Sequence, residues 1–199
     1  MPLSNLNPFI RFAKPTFGYS MRPENRRCYD CRLFFITDGE GEIHIEGTAY
    51  NFSKNTAIYL PAGTRYQFKA NNQKLDMMIF NFDLISDYAY LKKSLGTALE
   101  RDFDPSKMPA YALTKEFASP ILQKAPHLHE SLKKCIDDFL TMPPYYREVC
   151  SARLKRCLLE LLRFEHTEPE SAVIKAITDY VHTVIRSKRI FKVYGNRNI

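Results

Sequence analysis

No apolar run in the sequence approaches the roughly 20 residues that a helix needs to cross a bilayer, so a membrane-spanning helix is not expected. The opening stretch, MPLSNLNPFIRFAKP, has neither a continuous apolar centre nor a small-residue cleavage site. That excludes a secretory signal and makes the cytoplasm the expected compartment. Cysteine is scarce and odd in number, at five, which suits a reducing compartment better than a disulfide framework. Cys28 and Cys31 form a CxxC, but no second CxxC or HxxxH completes a four-ligand zinc set. The pair runs directly into the strand-like RLFFI, whereas a redox pair opens a helix. On a strand, positions i and i+3 point to opposite faces, so both read as structural cysteines. Also missing are GxSxG, a phosphate-cradling glycine run, HExxH, and a pair of carboxylates with an obvious acid/base split.

What is present is an ordinary hydrophobic share, 45%, over 199 residues, enough for one large domain or two small ones to bury a core. The net charge is +7 and unevenly spread. From Arg186 onward there are five basic residues and no acidic one. This reads as a solvated tail in competition with a surface for nucleic acid or membrane.

Residues 32–82 are a series of short β-prone runs. RLFFITD and EIHIEG are separated by a glycine turn, and AYNF, TAIYLPAG, RYQFKA and LDMMIFNFD follow. With no helical period between them, they predict an antiparallel barrel or sandwich. From His127 the period changes. Leu128, Leu132, Cys135 and Phe139 step by four, three and four, and the helix must stop before Pro143-Pro144. Cys150, Leu154, Cys157, Leu161 and Phe164 repeat the spacing, so the two helices form an antiparallel hairpin. A third helix opens at Thr167-Glu168-Pro169-Glu170, a capping-box pattern, and carries Val173, Ile177, Val181 and Val184.

The stretch from Leu33 to Phe68 resembles the small β-barrel called the cupin fold. The shared elements are Gly39 and Gly41, a hairpin turn at Gly47, and Pro61-Ala62-Gly63 followed by a pocket residue at Tyr66. Asn55 stands where most cupins have glycine, and asparagine tolerates the left-handed region that this turn requires. The whole order, a cupin-like half, a helical hairpin and then ESAVIKAITDYVHT, resembles the AraC family of bacterial transcriptional regulators. The resemblance implies an α+β chain: an N-terminal arm over 1–20, a cupin-like effector-binding barrel over 21–115, and a helical dimerisation hairpin over 116–166. It also implies the first helix of an incomplete helix-turn-helix DNA-binding domain, plus a basic tail, over 167–199. Expected partners are a small-molecule effector, often a sugar in that family, and a second copy of the chain through Cys150, Leu154, Cys157 and Leu161. DNA would be reached only through a domain that this chain lacks, and no cofactor is implied.

The positions that hold metal in metal-dependent cupins fall, by the resemblance, at Tyr66 and near Arg32, Asn25 and Arg27, none of them a good ligand. His127 and His129 are two apart at a helix start and therefore face apart. An organic ligand fits better. Pleat alternation puts Arg32, Phe34, Ile36 and Asp38 on one face, Tyr66 and Phe68 on another strand's face, and Met77, Ile79 and Asn81 on a third. The candidate ligand-binding set is Arg32, Phe34, Asp38, Tyr66, Phe68, Met77, Ile79 and Asn81. Its arginine, aspartate, asparagine and tyrosine would meet the donors and acceptors of a sugar or small acid. Three alternatives stand beside this. The apolar members fill a closed barrel, Asp38 caps the glycine turn or pairs with Arg32, or the pocket belongs to a metal-free sugar isomerase or epimerase using Tyr66 with a histidine. His44 and Glu46 read as solvent-facing.

Overall fold

Ten strands and two α-helices were located in a computed structural model, which describes residues 2–20, 24–69, 74–89, 96–108 and 115–163. The predicted third helix and basic tail lie outside these residues. Contacts divide the chain after Leu161, and the architecture below is that of the first unit.

The strands are β1 (Phe9–Ser20), β2 (Arg26–Cys28), β3 (Cys31–Asp38), β4 (Glu40–Ile45), β5 (Thr48–Ser53), β6 (Thr56–Leu60), β7 (Arg65–Phe68), β8 (Lys74–Asp83), β9 (Thr97–Leu99) and β10 (Ile121–Lys124). They form two five-stranded sheets, β1-β8-β3-β6-β10 and β5-β4-β7-β2-β9. All described pairings are antiparallel. Without the two short additions β9 and β10, this is the interleaved order of a double-sheet jelly roll, the arrangement of cupins. Residues 9–20, expected as part of an arm, are an edge strand of the first sheet paired along β8. Residues 121–124, expected at the start of the hairpin segment, close the opposite edge against β6.

Local chemistry fixes the turns. Glu46 (φ 49°) and Gly47 (φ 89°) make the tight two-residue connection between β4 and β5, because two consecutive positive φ values match the twist of the strands. Asn55 takes φ 66° between β5 and β6, as its side chain permits. Gly39 has φ 92°, and a Cβ there would stand 2.8 Å from Leu75 Cδ2 and 3.0 Å from the Lys74 carbonyl oxygen, so that corner admits glycine only.

The two sheets enclose one apolar interior made by Phe34 and Ile36 of β3, Ile43 and Ile45 of β4, Ile58 and Leu60 of β6, Tyr66 and Phe68 of β7, and Leu75 and Met77 of β8. The first sheet is also buried on its other face. Leu33, Phe35, Ala57, Tyr59 and Phe80 are inaccessible to solvent, and Phe117 seals Tyr59 with an edge-on ring 5.4 Å away. Burial on both faces explains why LFFI and MMIF are continuous apolar runs rather than alternating ones.

Helix α1 (His129–Thr141) covers part of that outer face, the His129 ring lying 5.9 Å from Phe35. It ends as expected before the prolines, with Met142 in the left-handed conformation as its cap. Helix α2, residues 146–163, returns antiparallel to it. Cys150, Leu154, Cys157 and Leu161, expected in a dimer seam, are at most 1% exposed within the single chain. The Cys150 thiol donates to the Cys135 carbonyl oxygen at 3.4 Å, the Cys157 thiol reaches Ser131 Oγ at 3.5 Å, and the Leu161 carbonyl oxygen accepts from Gln123 Nε2 at 2.9 Å. The stripe packs inward on α1 and β10, so it is not available to a second copy. Among the described residues no helix is long and apolar enough to cross a membrane.

Candidate ligand-binding site

Each sheet sends side chains into one end of the interior, and there they do not meet. The gap is a pocket of about 250 Å³. From β3 come Arg32 and Phe34, from β7 Tyr66 and Phe68, and from β8 Met77 and Ile79, six of the eight residues expected from the sequence. They converge because cross-strand pairs share a face: Phe34 lies opposite Ile79, and Arg32 opposite Asn81. Four rings form the apolar wall. Phe34 meets Phe68 edge-on at 5.4 Å and tilts toward Tyr66 at 5.7 Å, while Tyr19 and Tyr66 each meet Phe68 edge-on at 6.3 and 6.1 Å.

Two expected residues stand elsewhere. Asp38 has a side chain 72% exposed and pairs with Lys54 at 3.7 Å. The ladder between β3 and β8 slips between Ile36 and Asp38, and this irregularity breaks the alternation that would have turned Asp38 inward. Its expected pairing with Arg32 is therefore corrected to pairing with Lys54. Asn81 is buried on the interior face beside Arg32, but does not border the pocket.

Three pocket residues were not foreseen. Arg26 pairs directly with Tyr66 across β2 and β7, so it shares Tyr66's inward face. Arg27, placed by the resemblance at a metal-ligand position, points the other way. It donates to the Gly63 carbonyl oxygen at 2.9 Å and lies 3.6 Å from Glu100. Thr97 of β9 accepts from Arg26 Nη1 at 3.2 Å. Tyr19 enters from β1, whose register shifts between Thr16 and Tyr19 around Gly18 (φ 58°). The buried Cys28 two residues beyond Arg26 was the available signal for the inward face of β2, since i and i+2 share a side.

Electrostatics follow from burial and the two guanidinium groups. Arg32 is 8% exposed and stands 3.7 Å from the buried Asp30. Arg26 meets Glu24 at 3.3 Å on the half-exposed rim. Burial raises the Tyr66 hydroxyl above its ordinary pKa, with Arg32 pulling back, so Tyr66 is a neutral donor at physiological pH. The Cys28 thiol is pushed up to about 12 by burial, against the pull of Arg32. It donates to the Pro61 carbonyl oxygen at 3.1 Å. Cys31 is buried on the next strand beside Tyr59, so the CxxC spans two strands of different sheets. Among the described residues no group of three His, Cys, Asp or Glu side chains could hold a metal ion. No described histidine borders the pocket. His44 pairs with Glu42 at 2.6 Å, partly buried rather than fully solvent-facing, and His127 and His129 belong to the hairpin.

A second cavity, about 180 Å³, lies between residues 7–10 and the hairpin. Three of its polar side chains bond one another, Ser151 Oγ donating to Asn7 Oδ1 at 2.9 Å and Asn7 Nδ2 to Ser86 Oγ at 3.2 Å.

No protein-family model matches the chain, and no curated sequence matches it significantly. Among solved structures, apo ToxT from Vibrio cholerae, an AraC-family regulator, is similar over 80% of this chain and 57% of its own length, with a TM-score of 0.50 at 8% identity. Oxalate decarboxylase from Bacillus subtilis is similar over 50% of this chain and 25% of its own, with a TM-score of 0.33 at 12% identity. Salicylate 1,2-dioxygenase from Pseudaminobacter salicylatoxidans is similar over 45% and 26%, with a TM-score of 0.34 at 17% identity. The two enzyme likenesses are too partial to bear on chemistry, and the chain spans just over half the length of ToxT. At this identity the likeness to ToxT concerns architecture alone: over most of its length the chain shares the fold of that structure.

Proposed function

We propose that this chain is the effector-binding and dimerisation part of an AraC-type transcriptional regulator. The observation that carries the reading is the pocket. It is a concave site with an aromatic and aliphatic wall and a few convergent polar groups, between two sheets whose remaining interior is closely filled. The fold shared with ToxT over most of this chain supports it. The effector is a small organic molecule, a sugar being the class that the sequence resemblance implies. Bound between the sheets, it would touch β1, β3, β7 and β8 together and favour one packing of them over others. Because β1 and the hairpin lie on the same sheet, that preference would reach the helices, and through them any attached DNA-binding domain.

The homodimer expected through the hairpin would use the outward side of the helices, where Leu140, Val149 and Leu159 are 54%, 39% and 36% exposed. Sedimentation at rising concentration tests this: Leu159→Glu is expected to shift a dimer toward monomer, and the wild-type chain sedimenting only as monomer would remove dimerisation from the proposal.

Thermal unfolding against a panel of small sugars, sugar acids and aromatic acids tests the effector pocket. A ligand at 100 times its Kd adds about 2.7 kcal/mol, a rise of roughly 5 to 10 °C for a unit of this size. Tyr66→Phe with Phe68→Ala should abolish the shift. A shift that survives both substitutions would place the ligand elsewhere, and turnover of the ligand would make the chain an enzyme instead.

A further inference from the structure

We infer that the ligand of this pocket is a small aromatic monocarboxylic acid, a reading that rests on the pocket being an effector site and narrows what the effector is. The departure of Asp38 and Asn81 from the pocket carries the argument. A sugar presents many hydroxyl groups, each both donor and acceptor, and its sites answer with both kinds of group. The two expected side chains with strong acceptors are the two that do not border the cavity. What remains is Arg26 and Arg32, which only donate, and the hydroxyl groups of Tyr19, Tyr66 and Thr97. Of the nine residues described along the pocket, two are cationic and none is acidic.

Both arginines already have protein partners, Glu24 and Thr97 for Arg26 and Asp30 for Arg32. An anion would add to these contacts without displacing them, because a guanidinium has five N–H donors in a planar fork that matches a carboxylate. Arg26 comes from the second sheet and Arg32 from the first, and both charges act on Tyr66. One carboxylate near the Tyr66 hydroxyl therefore meets charge-assisted donors from both walls.

The rest of the ligand follows from shape and size. Phe34, Phe68, Met77 and Ile79 make an apolar chamber, and its rings lie edge-to-face, so an added ring continues the cluster in a favoured geometry. A cavity of about 150 Å³ lined by apolar side chains binds benzene. The 250 Å³ here leaves about 100 Å³ more, some three waters' worth at ~30 Å³ each, enough for a carboxylate and a small substituent. Long-chain acids and disaccharides exceed this volume.

The test is a titration of the full chain carrying ¹³C-labelled methionine and isoleucine methyl groups, with sodium benzoate, benzamide, glucose and benzene in separate arms. Benzoate is expected to move the Met77 and Ile79 methyl signals. Benzamide, with the same shape and no charge, should bind at least tenfold more weakly, and glucose should leave the signals in place. Arg32→Gln should weaken benzoate about ten- to hundredfold, the range of one lost hydrogen bond to a charged group, and Arg26→Gln by less because its head is on the rim. Circular dichroism of both variants checks that they fold. Benzamide equal to benzoate, benzoate unaffected by Arg32→Gln, or no benzoate response overturns the acid. In any of these cases a glucose or benzamide response leaves the effector pocket standing. If even benzene moves neither methyl signal, the interior is closed and the effector reading falls with the acid.

Discussion

The two faces of the first sheet come from the same strands, yet one is sealed and the other is open. On the outer face Leu33, Phe35, Tyr59 and Phe80 are fully buried. On the inner face Arg32, Phe34 and Ile79 border an unfilled volume. Buried charge is held in two ways. Arg11 and Asp83 form an ion pair with both side chains inaccessible, neither of them bordering the pocket; Arg32 stands beside Asp30 and the pocket. Adjacent residues of one strand thus serve opposite ends, closure for Leu33 and access for Arg32. A buried charge beside a cavity has room for a ligand, whereas a buried charge without one is committed to its partner.

The largest expected effect is at the sealed ion pair. Arg11→Ala would leave Asp83 buried without its cation and should cost about 3–5 kcal/mol in urea unfolding, while joint replacement by Arg11→Met and Asp83→Leu should recover most of that loss. A cost below about 1 kcal/mol for Arg11→Ala would mean that water reaches this pair. Asp83 has its pKa raised, burial outweighing the hydrogen bond and charge of Arg11. The folded chain then holds this proton more tightly than the unfolded one, so the Asp83 contribution to stability falls as pH rises from the ordinary carboxylate range through the raised value.

Core truncation separates the faces next. Leu33→Ala should cost about 2–5 kcal/mol, as methyl groups removed from a closed core do. Ile79→Ala, at a half-buried position beside the pocket, should cost about 1 kcal/mol or less, since less apolar surface leaves water there to begin with. Equal costs in urea unfolding would mean that the interior is as filled as the outer face.

Alkali gives a smaller effect, to which the inner side contributes through Cys28. Cys28 is raised from 9.0 to about 12 in the folded chain. Between those values the unfolded thiol has released its proton and the folded one has not, so stability present below pH 9 is lost as pH rises. The slope is about 1.4 kcal/mol per pH unit for one group. Cys28→Ala should flatten the fall of unfolding free energy between pH 8 and 10.5 by this slope; Cys135, Cys157 and Tyr66, also raised, add in the same direction above their ordinary ranges. The smallest effect is at the rim, where Lys54→Ala removes the exposed partner of Asp38 and should change stability by less than about 0.5 kcal/mol.

The sequence by itself determined what local geometry determines. Positive φ at Gly47 and Asn55, the helix stop at Met142 before two prolines, the strand-then-helix order, and the shared face of Arg32, Phe34, Tyr66 and Phe68 follow from steric preference and a period of two. Tertiary structure alone decided where that period breaks and which distant segments meet. The slip that turns Asp38 out depends on its pairing with β8, and Arg26 and Thr97 are 71 positions apart until β2 and β9 pair. The same holds for the helical stripe, whose spacing marks Cys150, Leu154, Cys157 and Leu161 as buried but cannot name the surface that buries them. Periodicity is a property of neighbouring residues along the chain, whereas register and the identity of a packing partner are set by residues far away in it.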